Sequence, residues 1–175
     1  MYPRKYNFVQ IQITVLEVNS PVGNIFLDEG FNDLKEGNFE RLRISRMELE
    51  KRILRRMTDR GTDVGLKLDP GVKLRNGDVF KNEDKRIVIE QIPEKVISVR
   101  LKTKDMSFVM VLLGHIIGNR HRPISIQRDE ISFPIQGDSE KEIFTKLFHS
   151  IINHIEMTVK EQVFYPSTSA DVHEH

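Results

Sequence analysis

The sequence contains no cysteine and no tryptophan. The absence of cysteine excludes disulfides, thiolate catalysis and zinc sites built on cysteine. A metal bound by this chain must therefore be held by imidazole and carboxylate groups. Such ligands favour nickel, zinc or copper(II) over ions that prefer thiolates.

Long apolar runs and a charge excess are also missing. The longest apolar runs, such as residues 108–113, are too short to span a bilayer. Residues 1–19 alternate in polarity and lack the apolar stretch of a signal peptide. The net charge of +1 gives no strong field toward nucleic acid or anionic membrane. We expect a cytoplasmic protein that binds neither nucleic acid nor membrane.

Signatures of common enzyme classes are absent as well. Gly23-Asn24 and Gly77-Asp78 are typical of turns, and no Walker pattern accompanies them. No Ser-His-Asp set is recognisable, and Asp129-Glu130 is best interpreted as a hairpin turn. The sequence therefore predicts a protein that is not an enzyme.

The first half of the chain has the pattern of a small all-β domain covering residues 1–93. Short alternating or apolar runs are separated by Gly, Pro, Asn and Asp clusters, which is typical of strands and turns. Residues 48–56 fit either a helix or a strand, and this alternative stays open. The predicted strands are 8–16, 40–44, 53–58, 64–68, 79–80 and 87–92.

The second half, residues 94–165, changes to mixed periodicity. A helix over 106–117 is predicted to begin after Asp105 and to end at Gly118 in a left-handed conformation. A second helix from about 138 to 153 is predicted to be capped by Asp138 or Ser139, with Glu142 able to close a capping box from Ser139. The predicted strands are 96–101, 124–127, 131–133 and 158–164.

The resulting order, βαββαβ, predicts the ferredoxin-like arrangement. The fold class is thus α+β, with an all-β N-terminal domain followed by a ferredoxin-like C-terminal domain. Residues 166–175 are expected to form a flexible tail.

The first predicted helix is apolar on nearly every side. Met106, Val109, Met110, Leu113 and Ile117 share one face at helical spacing. Other apolar residues cover much of the remaining surface, so both sides need a cover. We expect the second cover to be another copy of the chain, which would make a symmetric dimer through the C-terminal domain. The alternatives are a long loop or the N-terminal domain.

All six histidines lie at or after His115. His121 follows the first helix, and near a two-fold axis it would meet its own copy, so that two chains supply two ligands to an open metal site. His149 and His154 are five residues apart, about 140° around a helix, and make a poor chelate. They are interpreted as ordinary surface and core-edge residues.

Residues 40–60 are rich in charge, with eight basic and four acidic side chains. A solvated charged face is the simpler interpretation. A basic docking surface for an acidic partner is the alternative.

Five short segments carry a resemblance to a known family. They are Gly-Asn-Arg-His at 118–121, Thr-Asp-Val-Gly-Leu-Lys-Leu at 62–68, Leu-Arg-Asn-Gly-Asp-Val at 74–79, Pro-Glu-Lys-Val at 93–96, and the closing strand at 159–166. Their order and spacing resemble the urease accessory protein E (UreE) family, the nickel metallochaperones of urease maturation.

The resemblance implies an N-terminal domain that binds protein partners and a ferredoxin-like domain that dimerises and binds nickel. His121 matches the interfacial metal ligand of the family. His173 and His175 resemble additional ligands that family members carry in a C-terminal tail. Implied partners are urease and its accessory proteins, including the maturation GTPase. Ni(II) is the expected cargo, and Zn(II) is expected to bind the same residues.

The chain departs from the family pattern near the metal motif. Some members carry a histidine two residues before the motif glycine, where this chain has Ile116. His115 is adjacent but about 100° away on a helix, so it is only a minor candidate. With two tail histidines, the expected capacity is about one ion per dimer, from paired His121 and one or both tails. The alternative function is a non-enzymatic adaptor with a vestigial metal site, and a metal-dependent hydrolase is a distant third.

Overall fold

The computed structural model describes residues 15–31, 38–82, 85–103 and 106–167. The chain forms two compact units, Met1–Gln91 and Ile92–His175. Strands dominate and helices are few, so the class is mixed α and β, as predicted. Within the described ranges, every helix is too short or too polar to cross a membrane.

The N-terminal unit contains two sheets. One has β1 (Leu16–Val18), β4 (Ile53–Met57) and β5 (Asp63–Lys67) in the order β1-β5-β4. Strand β1 runs parallel to β5, and β4 runs antiparallel to it. The predicted strands 53–58 and 64–68 are thereby confirmed, and they form an antiparallel hairpin. Most of the predicted strand 8–16 lies outside the described residues.

The other sheet of this unit has the order β2-β6-β7-β3. Its strands are β2 (Gly23–Asn24), β3 (Glu40–Ile44), β6 (Asp78–Asn82) and β7 (Lys85–Gln91). A short helix α1 (Arg46–Leu49) connects β3 to β4, so the stretch that fitted helix or strand contains one after the other. Strand β3 matches its predicted bounds.

Alternation of side chains builds the core of this unit. In β3, residues 40, 42 and 44 point inward while Arg41 and Arg43 point outward, as period-two geometry requires. Both sheets contribute to one apolar cluster. Its buried members are Val18, Leu42, Ile44, Leu54, Val64, Leu66, Leu68, Leu74, Phe80, Ile87 and Ile89.

A buried turn ties β2 to β6. Asn24 Nδ2 donates to Asp78 Oδ1 and to the Asn76 carbonyl, each at 2.9 Å. Gly77 has φ +88°, and a Cβ built on it would lie 2.4 Å from Phe26 Cδ2. The turn needs glycine for both its conformation and its close packing.

The C-terminal unit has the order βαββαβ. Its elements are β8 (Glu94–Leu101), α2 (Ser107–Gly118), β9 (Ser125–Gln127), β10 (Glu130–Pro134), α3 (Asp138–Leu147), a 3₁₀ turn (Ile152–His154) and β11 (Ile155–Gln162). The strand order is β11-β8-β10-β9, and all neighbours are antiparallel.

Both helices of this unit pack in one apolar core with the sheet. Val109, Leu113 and Ile117 from α2 are at most 5% exposed. Phe133, Phe144 and Phe148 form an aromatic triangle whose ring centroids lie 4.5 to 6.4 Å apart. The helices are thus fixed by burial of their apolar residues.

Three helix-end predictions are wrong. Gly118 is the last residue of α2, and the left-handed residue is His121, with φ +50°. Helix α3 ends at Leu147, because Ile151 N donates to the Phe148 carbonyl in a tighter turn that leaves both side chains buried. Gly137 is the N-cap of α3, so neither Asp138 nor Ser139 caps the helix and the capping box from Ser139 does not form. Asp105 lies outside the described residues.

Candidate metal-binding site

His121 lies on the turn that leaves α2. Three successive hydrogen bonds build this turn: Asn119 N to the His115 carbonyl, Arg120 N to that of Ile117, and His121 N to that of Gly118, at 2.9–3.0 Å. They place His121 in the left-handed region with an exposed side chain. That conformation costs a non-glycine residue about 1 kcal/mol. The imidazole is therefore accessible on a defined backbone.

An ion pair fixes the chain directly after His121. Arg122 Nη2 donates to Glu140 Oε1, and each side chain is less than a quarter exposed. Glu140 Oε2 also accepts a hydrogen bond from Gln136 N at 2.8 Å. The turn is therefore tied to the first turn of α3, which limits the positions that the His121 backbone can take.

His115 lies on α2, and its ring is already engaged. Its Nε2 is 2.9 Å from Asn119 Nδ2. With the amide donating, the Nε2 lone pair is used and Nδ1 of the neutral ring carries the proton. In this arrangement His115 offers no free lone pair to a metal.

The chain that leads to the C-terminus runs beside the His121 turn. Ser167 N donates to the Ile124 carbonyl at 2.8 Å, and Ser167 Oγ accepts from Ile126 N at 2.9 Å. His173 and His175 lie outside the described residues. His173 lies six positions after Ser167, a distance of at most about 20 Å when the chain is extended. Ile124 is three residues from His121, at most about 11 Å along the chain. The tether is thus long enough for His173 to reach the turn.

His149 and His154 are both exposed. His149 follows the end of α3, and His154 ends the 3₁₀ turn, so the continuous helix expected to carry both is not present. Across the described part of the chain, no group of three His, Asp or Glu residues is arranged to hold a metal ion.

The outer surface of α2 is strongly apolar and open. Phe108 is 75% exposed and Val111 is 72% exposed. Met110, expected on the buried face, is 38% exposed, whereas Val109, Leu113 and Ile117 are buried as predicted. We refer to Phe108 and Val111 as the α2 outer face.

Among the described acidic residues of this unit, Glu130 has a perturbed pKa, and it belongs to the sheet. Burial raises its pKa, but a hydrogen bond from Ser98 and the charges of Lys160 and Arg100 outweigh burial and lower it overall. Arg100 Nε lies 2.8 Å from Glu130 Oε2. Glu130 begins β10, so it is a structural carboxylate.

Sequence reasoning missed Arg122, Glu140 and Ser167. The ion pair joins residues 18 apart, and the Ser167 side-chain bond joins residues 41 apart. No local pattern reports such pairs. Arg122 could have been noticed only through its position next to the Gly-Asn-Arg-His segment.

Comparison with known proteins gives a consistent result. Residues 22–92 match the family model described as UreE urease accessory protein, N-terminal domain. The urease accessory protein UreE of Lysinibacillus sphaericus (strain C3-41) is 36% identical over 111 residues, which cover 63% of this chain and 71% of that protein. The protein of the same name from Streptococcus vestibularis is 28% identical over 138 residues, covering 74% and 91%. This chain belongs to the UreE urease accessory protein family.

Proposed function

We propose that this protein is a nickel metallochaperone that delivers Ni(II) to apo-urease while the urease metallocentre is assembled. The observation that carries the metal site is the placement of His121. Its exposed imidazole lies on the turn that follows α2, the helix whose exposed Phe108 and Val111 form an apolar outer face. The urease assignment follows from the names of the relatives.

A homodimer through the C-terminal unit completes the proposal. Phe108 and Val111 expose apolar area that a second copy would bury. A two-fold axis along α2 would bring two copies of His121 together. One ion per dimer would then have two imidazole ligands and open positions for further ligands, which suits a carrier that must release its cargo.

The tail supplies the other proposed ligands. His173 and His175 are tethered at Ser167, beside β9. We assign His115 at most a minor part, because Asn119 engages its ring. Imidazole ligands also suit Zn(II), so zinc is proposed to bind the same residues.

The two units have separate proposed roles, one in metal binding and one in partner binding. The strand order β11-β8-β10-β9 with two helices supports a ferredoxin-like arrangement for residues 94–165. The N-terminal unit is proposed to bind urease or its other accessory proteins, including the maturation GTPase. The proposed location is the cytoplasm, and the proposed role is not enzymatic.

Calorimetry with Ni(II) tests the metal site. The wild type should bind about one ion per two chains, and His121→Ala should abolish this site or weaken it at least about a hundredfold, because both interfacial ligands are lost together. His149→Ala is the matched control and should bind as the wild type does. Unchanged affinity and stoichiometry in His121→Ala would contradict the proposal.

The second candidate is an adaptor whose metal site is vestigial. The feature that favours it is the lack, among the described residues, of a preformed cluster of three ligands. Urease activation in cells that carry His121→Ala distinguishes the two functions. Full activation at limiting nickel supports the adaptor, and loss of activation that added nickel restores supports the carrier.

A further inference from the structure

Strand β4 is an edge strand with open hydrogen-bonding groups. Leu68 N donates to the Arg52 carbonyl, and Thr58 N donates to the Thr62 carbonyl. Antiparallel pairing alternates, so the even-numbered residues of β4 bond to β5. The backbone N–H and C=O groups of Ile53, Arg55 and Met57 therefore point away from the sheet. Past the end of β4, Asp59 N donates to the Arg41 carbonyl of β3 at 2.9 Å, whereas no described residue makes a backbone hydrogen bond to Ile53, Arg55 or Met57 on that side.

The side chains of the same three residues share one face of β4. Ile53 is 75% exposed and Met57 is 65% exposed. Arg55 lies between them, with its side chain 60% exposed. We call Ile53, Arg55 and Met57 the β4 edge. It presents an apolar, a cationic and an apolar side chain in succession, two residues apart.

The ion pairs beside this edge leave positive charge on the outside. Arg55 holds Asp63 through Nε and Nη2, at 2.6 to 3.2 Å, and Nη1 makes no hydrogen bond to a described residue. The Asp63 side chain is 16% exposed, against 60% for Arg55. Likewise Glu48 is 13% exposed, against 50% for its partner Arg56. In both pairs the carboxylate is covered and the guanidinium faces solvent.

We propose that the β4 edge binds an extended acidic segment of a partner protein as an added strand. The segment would have an acidic side chain opposite Arg55 and apolar side chains two residues away on each side. Up to three backbone N–H groups and three carbonyls would pair, and the alternate side chains would give specificity. The inference rests on the proposed partner-binding role of the N-terminal unit and is independent of nickel.

If this surface were only a solvated charged face, the exposed arginines would be explained. The exposure of the apolar side chains of Ile53 and Met57 would not be. Two exposed apolar residues on an open edge are a hazard for aggregation, which proteins normally avoid. Self-pairing of two β4 edges is opposed here, because it would bring Arg55 against Arg55 at the centre of the added pair. The same arginine favours a strand that carries a carboxylate. The charges at the β4 edge therefore favour binding of an acidic segment of a partner protein.

Titration of the full-length protein with two synthetic peptides tests the proposal. The first is acetyl-Ser-Val-Thr-Glu-Thr-Val-Ser-amide, and the second has Lys in place of Glu. Amide NMR shifts report the binding position, and hydrogen exchange reports new backbone bonds. The Glu peptide should shift the amides of Ile53, Arg55 and Met57 and slow their exchange, and the Lys peptide should bind at least about fivefold more weakly.

Variants separate the edge from general charge effects. Arg55→Glu should weaken the Glu peptide at least about fivefold and strengthen the Lys peptide, whereas Lys141→Glu on α3, with the same charge change, should alter neither. Equal binding of the two peptides, or shifts confined to residues outside the β4 edge, overturns the inference. Nickel calorimetry on the same samples reads the His121 site separately, so failure of one proposal is distinguishable from failure of the other.

Discussion

Asn119 Nδ2 lies 2.9 Å from His115 Nε2, one helical turn away. The contact occupies one of the two ring nitrogens of His115, and with the amide donating the other nitrogen carries the proton. We therefore expect His115→Ala to change Ni(II) affinity less than about twofold, within the range of a surface substitution distant from the ligands. Calorimetry beside His121→Ala measures the difference. A loss in His115→Ala as large as that in His121→Ala would show that the ring leaves Asn119 and binds the metal.

The tail provides a prediction about effective concentration. Because Ser167 is bonded to β9, the tether to His173 and His175 is short, and we expect their effective concentration at the turn to be millimolar. The double variant His173→Ala with His175→Ala should weaken Ni(II) binding about tenfold without changing the mass of the protein in solution. Thr168→Ala is the control within the same segment. Equal affinity of all three proteins would remove the tail from the site.

The α2 outer face predicts the oligomeric state. Phe108→Asp with Val111→Asp places two charges on the open side of α2, where a second copy is proposed to pack. The cost of burying unpaired charges should convert the dimer to a monomer of 20.4 kDa. Light scattering after gel filtration measures the mass. Ile143→Asp, at a 45% exposed position of α3, should stay dimeric. A dimer in both variants would place the interface elsewhere.

Glu40 predicts a pH dependence of stability in the N-terminal unit. Burial raises its pKa, but hydrogen bonds from Thr58, Thr62 and Lys85 outweigh burial and hold it below the usual 4.5. Thr58 Oγ1 donates to Glu40 Oε2 at 2.5 Å. Since the folded pKa is depressed, the stabilisation is complete above about pH 5 and is lost as the pH falls through the folded value.

Glu40→Gln should therefore destabilise the unit by about 1–2 kcal/mol at pH 7, and its deficit should shrink below about pH 4.5. Urea titrations followed by amide signals of β3 and β7 measure both quantities. Glu161→Gln, at an exposed position near the end of β11, should show neither effect. A deficit that stays constant as the pH falls would mean that the lost contacts are not electrostatic.

Gly77 and Gly71 form a matched pair for stability. Both have φ +88°, but a Cβ on Gly77 meets Phe26 and Asn24, whereas nothing lies within 4 Å of one on Gly71. Each alanine variant should lose about 1 kcal/mol from backbone strain, and Gly77→Ala should lose about 1–3 kcal/mol more from overpacking. Urea unfolding measures both. Equal losses would show that exposed Phe26 simply moves aside.

Local patterns predicted much of the fold. Strand β3 has its predicted bounds because residues 40–44 alternate strictly, and Arg41 and Arg43 can face only solvent. The order βαββαβ could also be predicted from the sequence. Apolar residues repeat every second position in strands and about every 3.6 positions in helices, and the two patterns differ clearly. These features depend on neighbours along the chain, so sequence alone reports them.

Features that depend on distant contacts could not be predicted. Gly118 is the stronger local signal for a left-handed residue, yet the turn continues to His121, and Glu140 ties the next residue to α3. Apolar periodicity continues past Leu147, but Phe148 and Ile151 reach the core through tighter turns. The exposure of Ile53 and Met57 was likewise invisible, because the sequence does not state which strand forms the edge.

The left-handed backbone of His121 sets thermal stability against metal binding. At φ +50° a glycine would relieve the strain, whereas an imidazole tolerates the conformation at a cost. His121→Gly should therefore yield a chain that unfolds at a higher temperature and carries no nickel. Selection for thermal resistance alone would replace this histidine, so its persistence in a lineage would measure how strongly cargo binding is required.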